Sequence, residues 1–383
     1  MSSKPVYIND IAAFLPNAPV PNERMEDILG LAGDRPSRAK KLILQSNNIQ
    51  QRHYAIDPQT LQPNYTTAQL AAAAIRGLQQ GRLDLDSISL LTAASTLPDQ
   101  LMPNHAVMVH GELGNPPCEA VATSGVCVCG VTALKYAFLS IAAGEHANAV
   151  VSAAETASLS MLGSRFHVED SASAERLKRQ PELAFEQDFL RWMLSDGAGA
   201  MLLSEQRNDS SLSLRLDWIE VLSYANEQSA CMYAGAIKNH DGSLSGWRTA
   251  DSETLATQNM LAVKQDVKQL NAQVLHYTVE KALAQIVAKR GIRPDAYAYF
   301  LPHYSSHYFR DRLAQALARA DFAIPQECWF TNLYTKGNTG SASIFIALEE
   351  LFHAGKLQPG QQLLCYVPES GRFSTSFMQM TVV

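Results

Sequence analysis

The stretch from Ser124 to Ala143, SGVCVCGVTALKYAFLSIAA, constrains this chain more than any other. A Gly-containing turn carrying Cys127 and Cys129 gives way to a run that is apolar almost all the way round, closed by Gly144. A helix apolar on every face belongs inside a large protein. A thiol at the first turn of such a helix meets unpaired backbone N–H groups and the positive end of the helix dipole, which favour thiolate over thiol. The stretch therefore reads either as a site for a nucleophilic cysteine or as a core in which cysteine serves only as a small hydrophobe. Partners elsewhere in the chain have to decide between the two.

At 383 residues the chain exceeds most single cores, so two domains or two fused halves are expected. A hydrophobic share of 46% with 18% charged residues describes an ordinary globular protein. A net charge of −6 with no long block of one sign argues against a nucleic-acid binder held by phosphate contacts. The start, MSSKPVYINDIAAFLP, has no basic lead into an apolar core, and no later stretch is apolar for long enough to cross a membrane, so a cytoplasmic protein is expected. The six cysteines are scattered, and the one close pair, C-x-C, has no nearby His. Neither a metal site nor structural disulfides are expected, nor any cofactor.

Strand-like and helix-like segments alternate along the whole chain. Val6–Leu15, Ser87–Ser95, Glu119–Thr123 and Ala147–Ala153 read as strands, and Thr66–Gln79 and His105–Leu113 as helices. SDGAGAMLLSE, Ser195–Glu205, reads as a Gly-punctuated turn feeding a further strand, with the wrong glycine spacing for a phosphate loop. The second half repeats the plan: strand-like Leu212–Tyr224, a long helix over Asp266–Arg290, then the strand Ala296–Leu301 and a helix. CWFTNLYTKGNTGSASIFIALEEL follows as strand, Gly-Asn turn and helix, and the strands Gln362–Val367 and Ser376–Val383 close the chain. This predicts a layered α/β body of two similar halves, residues 1–209 with the cysteine turn and residues 210–383. His167–Gln187 reads as a polar surface excursion or lid, and Tyr233–Thr257 as loop-rich.

Cys127, His303 and Asn338 all stand at strand-to-helix turns, which in an α/β sheet gather at one edge. A thiol nucleophile, an imidazole and an amide form a working set for acyl transfer. Taken one at a time, His303 after a proline is an ordinary polar residue and Asn338 an ordinary turn former.

The order of these motifs resembles the ketoacyl-acyl carrier protein synthases of type III, which have the thiolase fold. The cysteine turn, LPHYSSH, GNTGSAS and DGAGAMLL are similar to four family motifs in the family's order over nearly the whole chain, and IQQRHYA is similar to a segment near the entrance. The resemblance implies an α/β thiolase-like fold layered α-β-α-β-α. It places the nucleophile at Cys127, because a shift to Cys129 would break the register of Gly144 and the strand ending at Glu155. It gives His303 and Asn338 the role of donors to the oxygen of the second substrate, and it makes the oxyanion hole from the backbone N–H of Cys127 with one near Gly371. Where type III synthases that use coenzyme A carry a Trp and an Arg, this chain reads Leu42 and Ser46, so acyl carrier protein thioesters are the expected donors ahead of acyl-coenzyme A. Met102, before Pro103, stands where the family places a residue entering the partner subunit's acyl pocket, which implies a homodimer accepting medium or branched chains. Arg310, Arg312 and Arg319 form either a patch for an acidic carrier protein or a solvated helix face.

More narrowly, SNNIQQRHYA, LRWMLSDGAGA, CMYAG and PESGRFS are similar to the condensing enzymes of dialkylresorcinol and cyclohexanedione biosynthesis. That resemblance implies an acyl group on Cys127, a β-ketoacyl thioester joined to it by Claisen condensation, and ring closure by conjugate addition. The other readings are decarboxylative priming of fatty acid or polyketide synthesis, acyl transfer to an alcohol or amine, and a non-catalytic chain-length subunit.

Overall fold

The computed structural model describes residues 4–32, 37, 39–78, 83–166 and 189–383. The expected excursion His167–Gln187 lies outside the described residues. Nine strands form one mixed sheet: β1 Tyr7–Phe14, β2 Leu90–Ser95, β3 Glu119–Ser124, β4 Asn148–Glu155, β5 Gly197–Ser204, β6 Leu214–Ser223, β7 Tyr297–Pro302, β8 Gln362–Pro368 and β9 Ser374–Val382. The principal helices are α1 Lys40–Asn47, α2 Thr67–Gly77, α3 His105–Leu113, α4 Val128–Ala143, α5 Val267–Leu275, α6 Ala282–Arg290, α7 Arg310–Arg319 and α8 Ser343–His353.

The strands lie in the order β7-β8-β9-β6-β1-β5-β4-β2-β3. Two sets of strands meet at β1 and β6, which share only the pairs Tyr7–Arg215 and Ile8–Leu214. Within each set the connectivity is alike. β2 runs parallel to both β3 and β4, and β4 is antiparallel to β5, which pairs with β1. On the other side β7 runs parallel to β8, and β8 is antiparallel to β9, which pairs with β6. The counterpart of edge strand β3 is reduced to one parallel bridge, Phe300 to Trp329. The strand expected in CWFTNL is therefore absent. Trp329 instead turns its ring against Phe300 and donates its indole N–H to the Ile324 carbonyl at 3.0 Å, so side-chain packing holds what a ladder would have held.

Helix α4 packs on β2 and β4 of one set and on β6 and β9 of the other, while α8 packs on β1, β5 and β7. These two helices make the middle layer, with α2 and α3 outside one set of strands and α5, α6 and α7 outside the other. The result is the α-β-α-β-α stack. Its central core joins Val131, Leu134 and Ile141 of α4 to Ile8, Met201, Leu363 and Met378 of the strands.

Two of the expected helices differ in detail. The long helix over Asp266–Arg290 is broken by a π-helical segment, His276–Lys281, in which Thr278 Oγ1 lies 2.6 Å from the Val274 carbonyl and 2.7 Å from the Tyr366 hydroxyl. A wide turn of this kind is the usual signature of a helix adjusted around a site. Nor is α4 buried on every face: Tyr136 is 42% and Leu139 52% exposed, on one stripe of the helix. Sequence hydrophobicity sets only the burial a residue seeks, and among the described residues nothing covers this stripe.

Candidate active site

Cys127 is the N-cap of α4, with backbone φ −60° and ψ −31°, so the helix axis starts at the thiol as the sequence implied. Close packing of this turn depends on Gly130, where a Cβ would lie 2.6 Å from the Ser341 carbonyl oxygen. That contact brings the Gly-Asn-Thr turn against the first turn of α4.

The backbone of Asn338 is held on both sides. Its N–H donates to the Met193 carbonyl at 3.1 Å, and its carbonyl accepts from the Ser195 N–H at 2.8 Å. Its side-chain Oδ1 accepts from the Gly340 N–H at 3.0 Å, which leaves Nδ2 without a protein acceptor among the described residues and able to donate. Gly337, at φ +72°, has no room for a side chain: a Cβ would meet that of Ser195 at 2.8 Å. The segment IQQRHYA is a buried brace behind this turn. Arg52 donates to the carbonyl of Trp192, and the His53 N–H to Ser195 Oγ at 2.9 Å.

His303 follows β7 and is fixed through its backbone N–H, which donates to the Tyr366 carbonyl at 2.8 Å. Burial pushes its imidazole down to about 4, so the ring is neutral at neutral pH and one of its nitrogens is a hydrogen-bond donor.

Cys127 and His303 line one cavity with Ser305, Pro368 and Ser370, enclosing about 480 Å³ of empty space including its open mouth. Its far walls are apolar: Leu270, Val274 and Leu275 of α5, Phe309 and Leu313 beside and on α7, and the ring of Tyr366. His303 also borders a second recess, lined by Gly337 and Ser343 on either side of the Asn338 turn. His303 thus stands between the thiol and the amide turn.

Desolvation and neighbouring charge work against the expected helix-stabilised thiolate. Burial raises the Cys127 thiol well above its ordinary range, and the nearby carboxylates Glu369 and Glu155 push the same way, outweighing its own backbone N–H. Glu155 Oε1 accepts from Thr96 and Ser341, each donating through N–H and hydroxyl. Glu369 Oε2 accepts from the N–H groups of Val126 at 3.1 Å and Val128 at 3.3 Å, the residues on either side of Cys127. A carboxylate thus occupies the helix start that was to have served the thiol. Reading PESGRFS only for its glycine missed Glu369, although an acidic residue two places before Gly371 was the available signal.

The Gly371 carbonyl accepts from the N–H groups of Cys231 at 2.8 Å and Met232 at 3.2 Å, which pins that loop, and its own N–H has no partner among the described residues. Met102 lies outside the cavity of its own chain and is 82% exposed. Leu42 is exposed on α1, and Ser46 lies on the same helix. Arg310 is turned inward, donating to Gln326 Oε1 at 2.8 Å and Tyr304 OH at 3.3 Å beneath the Trp329 ring. Arg312 lies over Tyr308, and Arg319 pairs with Glu280. Among the described residues no group of His, Cys, Asp or Glu has metal-site geometry, and no helix is long and apolar enough to cross a membrane.

The profile of the 3-oxoacyl-[acyl-carrier-protein] synthase III C-terminal family matches residues 287–372, which carry His303, Asn338 and Glu369. The chain is 24% identical over 352 residues to the β-ketoacyl-[acyl-carrier-protein] synthase III of Clostridium perfringens strain 13, covering 92% of this chain and 91% of that one. The chain is thus similar to the type III ketoacyl synthases over nearly its whole length, and its C-terminal part matches their family profile. Among solved structures it superposes on AbyA1, a tetronic acid condensing enzyme, with a TM-score of 0.74 at 20% identity, over 98% of this chain and 99% of that one. It also superposes on OleA of Xanthomonas campestris with bound lauric acid and lauroyl-CoA, with a TM-score of 0.75 at 18% identity over 98% and 99%. These two likenesses establish the thiolase fold. On its likeness to the type III synthases the chain is a Claisen-condensing ketosynthase, an acyltransferase that forms a carbon–carbon bond.

Proposed function

We propose that this type III-like synthase takes an acyl group from a carrier-protein thioester onto Cys127 and joins it to a β-ketoacyl thioester, with ring closure by conjugate addition giving a cyclohexanedione, the precursor of a dialkylresorcinol. The observation that carries this reading is the cavity running from Cys127 and His303 to the apolar faces of α5 and α7. Its walls suit an alkyl chain on the second substrate as well as the first, whereas a malonyl unit carries no alkyl chain to bury. In the first half-reaction the Cys127 sulfur attacks the thioester carbonyl, the backbone N–H groups of Cys127 and Gly371 receive the oxyanion, and the adduct collapses by breaking the carrier's C–S bond, the carrier thiol leaving with the Cys127 proton. In the second, His303 and Asn338 Nδ2 donate to the enolate oxygen of the β-ketoacyl partner, whose carbon attacks the acyl-Cys127 carbonyl.

The test is product analysis by mass spectrometry after pairing acyl-carrier and acyl-coenzyme A donors with β-ketoacyl and malonyl acceptors. Two-chain condensation products, cyclised when the first acyl group is α,β-unsaturated, are expected. A single malonyl extension as the only product across all pairs would overturn the reading in favour of decarboxylative priming.

The same reading includes a homodimer. Tyr136 and Leu139 on α4, Val107 on α3, and Leu101 and Met102 of the loop are exposed, close in sequence and fold to the edge strand β3, whose outer side has no partner strand among the described residues. Exposed apolar groups beside a free strand edge are what a second copy would cover. Sedimentation is expected to give a dimer, and Leu139→Asp to shift it toward monomer; a wild-type monomer would remove the partner role from Met102. Arg312, exposed on α7, is the remaining candidate for carrier-protein contact, since Arg310 is engaged within its own chain.

A further inference from the structure

Claisen chemistry on a donor that keeps its carboxyl carbon needs a base, because no CO2 departs to leave the electron pair behind. The groups at the cavity divide sharply on this point. His303 and Asn338 are donors in the enolate step, and Glu155 is only 4% exposed, with Oε1 accepting from the N–H and hydroxyl groups of Thr96 and Ser341 and Oε2 sharing the Thr96 N–H at 3.2 Å. Glu369 is different. Its Oε2 is anchored by the two N–H groups that bracket Cys127, while nothing among the described residues donates to Oε1, which lies on the side of Gly371. Its chain neighbours Pro368 and Ser370 both line the cavity with Cys127 and His303. The loop that carries it is fixed at both ends: the Glu369 N–H donates to the Ser374 carbonyl at 2.8 Å, and the Gly371 carbonyl is held by Cys231 and Met232.

We propose that Glu369 is the base of the condensation, removing the proton from the carbon between the two carbonyls of the donor and returning it to Cys127. This rests on the β-ketoacyl reading above. The proton passes to Oε1, and the C–H electron pair becomes the enolate held by His303 and Asn338. The donor carbon attacks the acyl-Cys127 carbonyl, the C–S bond breaks, and the departing Cys127 thiolate takes the proton back from Glu369. Thiol and carboxylate are both restored, with nothing oxidised and no co-reactant consumed. Burial raises the basicity of Glu369 above that of an ordinary carboxylate, against the pull of its two N–H donors, which suits it to the task.

Glu369→Gln tests this, because an amide oxygen still accepts from Val126 and Val128 but a neutral amide takes no proton. Two half-reactions and one thiol titration are read. Acyl-Cys127 formation, followed by intact mass, is expected to persist. Condensation with a β-ketoacyl donor is expected to fall about 100-fold or more, with partial recovery in Glu369→Asp. Iodoacetamide alkylation of Cys127 is expected to move to lower pH, since one of the two carboxylates raising the thiol has gone. Of the other titratable groups near the thiol, Glu155, Cys129 and His303 are unchanged in the variant. Condensation within about 3-fold of the parent, or equal losses in acylation and condensation as structural damage would give, overturns the proposal. If the parent itself condenses no β-ketoacyl donor, the functional reading fails instead. The alkylation profile then still decides whether Glu369 governs Cys127, and coincident profiles would overturn that too.

Discussion

Cys127→Ala is expected to gain no mass from any acyl donor and to lose product formation by roughly 10⁴-fold or more, the scale on which removal of a covalent nucleophile is felt. The neighbouring Cys129 cannot take over. It is 2% exposed, packed beside Glu155 and Ser341, and burial with the Glu155 charge raises its thiol well above the ordinary range. Cys127, by contrast, is half-buried and opens on the cavity shared with His303. The folded state is expected to notice the change little, within about 1 kcal/mol, because the thiol makes no cap hydrogen bond and leaves only a small void. Intact mass spectrometry on the variant, with a melting curve beside it, checks both statements. A mass gain that survives would move the nucleophile to Cys129.

His303→Ala and Asn338→Ala are expected to show the opposite split. Each should still form acyl-Cys127 at a rate within several-fold of the parent, while condensation falls roughly 10²- to 10³-fold, the usual cost of losing one donor to a developing oxyanion. The double variant is expected to be far less than multiplicatively worse, since both donors serve one oxygen. The two residues supply this donation in different ways. Asn338 has its Oδ1 committed to the Gly340 N–H, which directs Nδ2 outward. His303 is kept neutral by burial, with a pKa pushed down to about 4, so condensation should show no limb near neutral pH from this ring. Single-turnover quench experiments on pre-acylated protein separate the steps. Acylation slowed as much as condensation would mean that these residues act on the thiol instead.

Much of the architecture follows from local pattern. The helix His105–Leu113 has the ends read from its sequence, because Asn104 supplies the cap to the Val107 N–H at 3.1 Å and Gly114 closes it in the left-handed region. The apolar runs before Glu155 and after Asp196 became adjacent antiparallel strands, as buried segments bounded by turn residues do. The sequence failed where neighbours distant along the chain decide the outcome. CWFTNL has strand-like residues, yet Trp329 found its partners in Phe300 and the Ile324 carbonyl, and one bridge replaced a ladder. The run after Gly130 is apolar on all sides, yet whether Leu139 is covered depends on what lies against it.

The site divides in the same way. By itself the sequence determined which residue types stand at the strand-to-helix turns: a thiol at 127, an imidazole at 303 and an amide at 338, each announced by the glycines and prolines of its own turn. Only the tertiary structure decided the electrostatics of the thiol. The helix start at Cys127 is a local feature and favours thiolate, but Glu155 arrives from β4 and Glu369 from the loop after β8, and their charge with desolvation outweighs the pull of the Cys127 N–H. Propensity and capping act over a few residues of chain, whereas the potential at a buried sulfur is set by whatever charge the fold brings within a few ångströms.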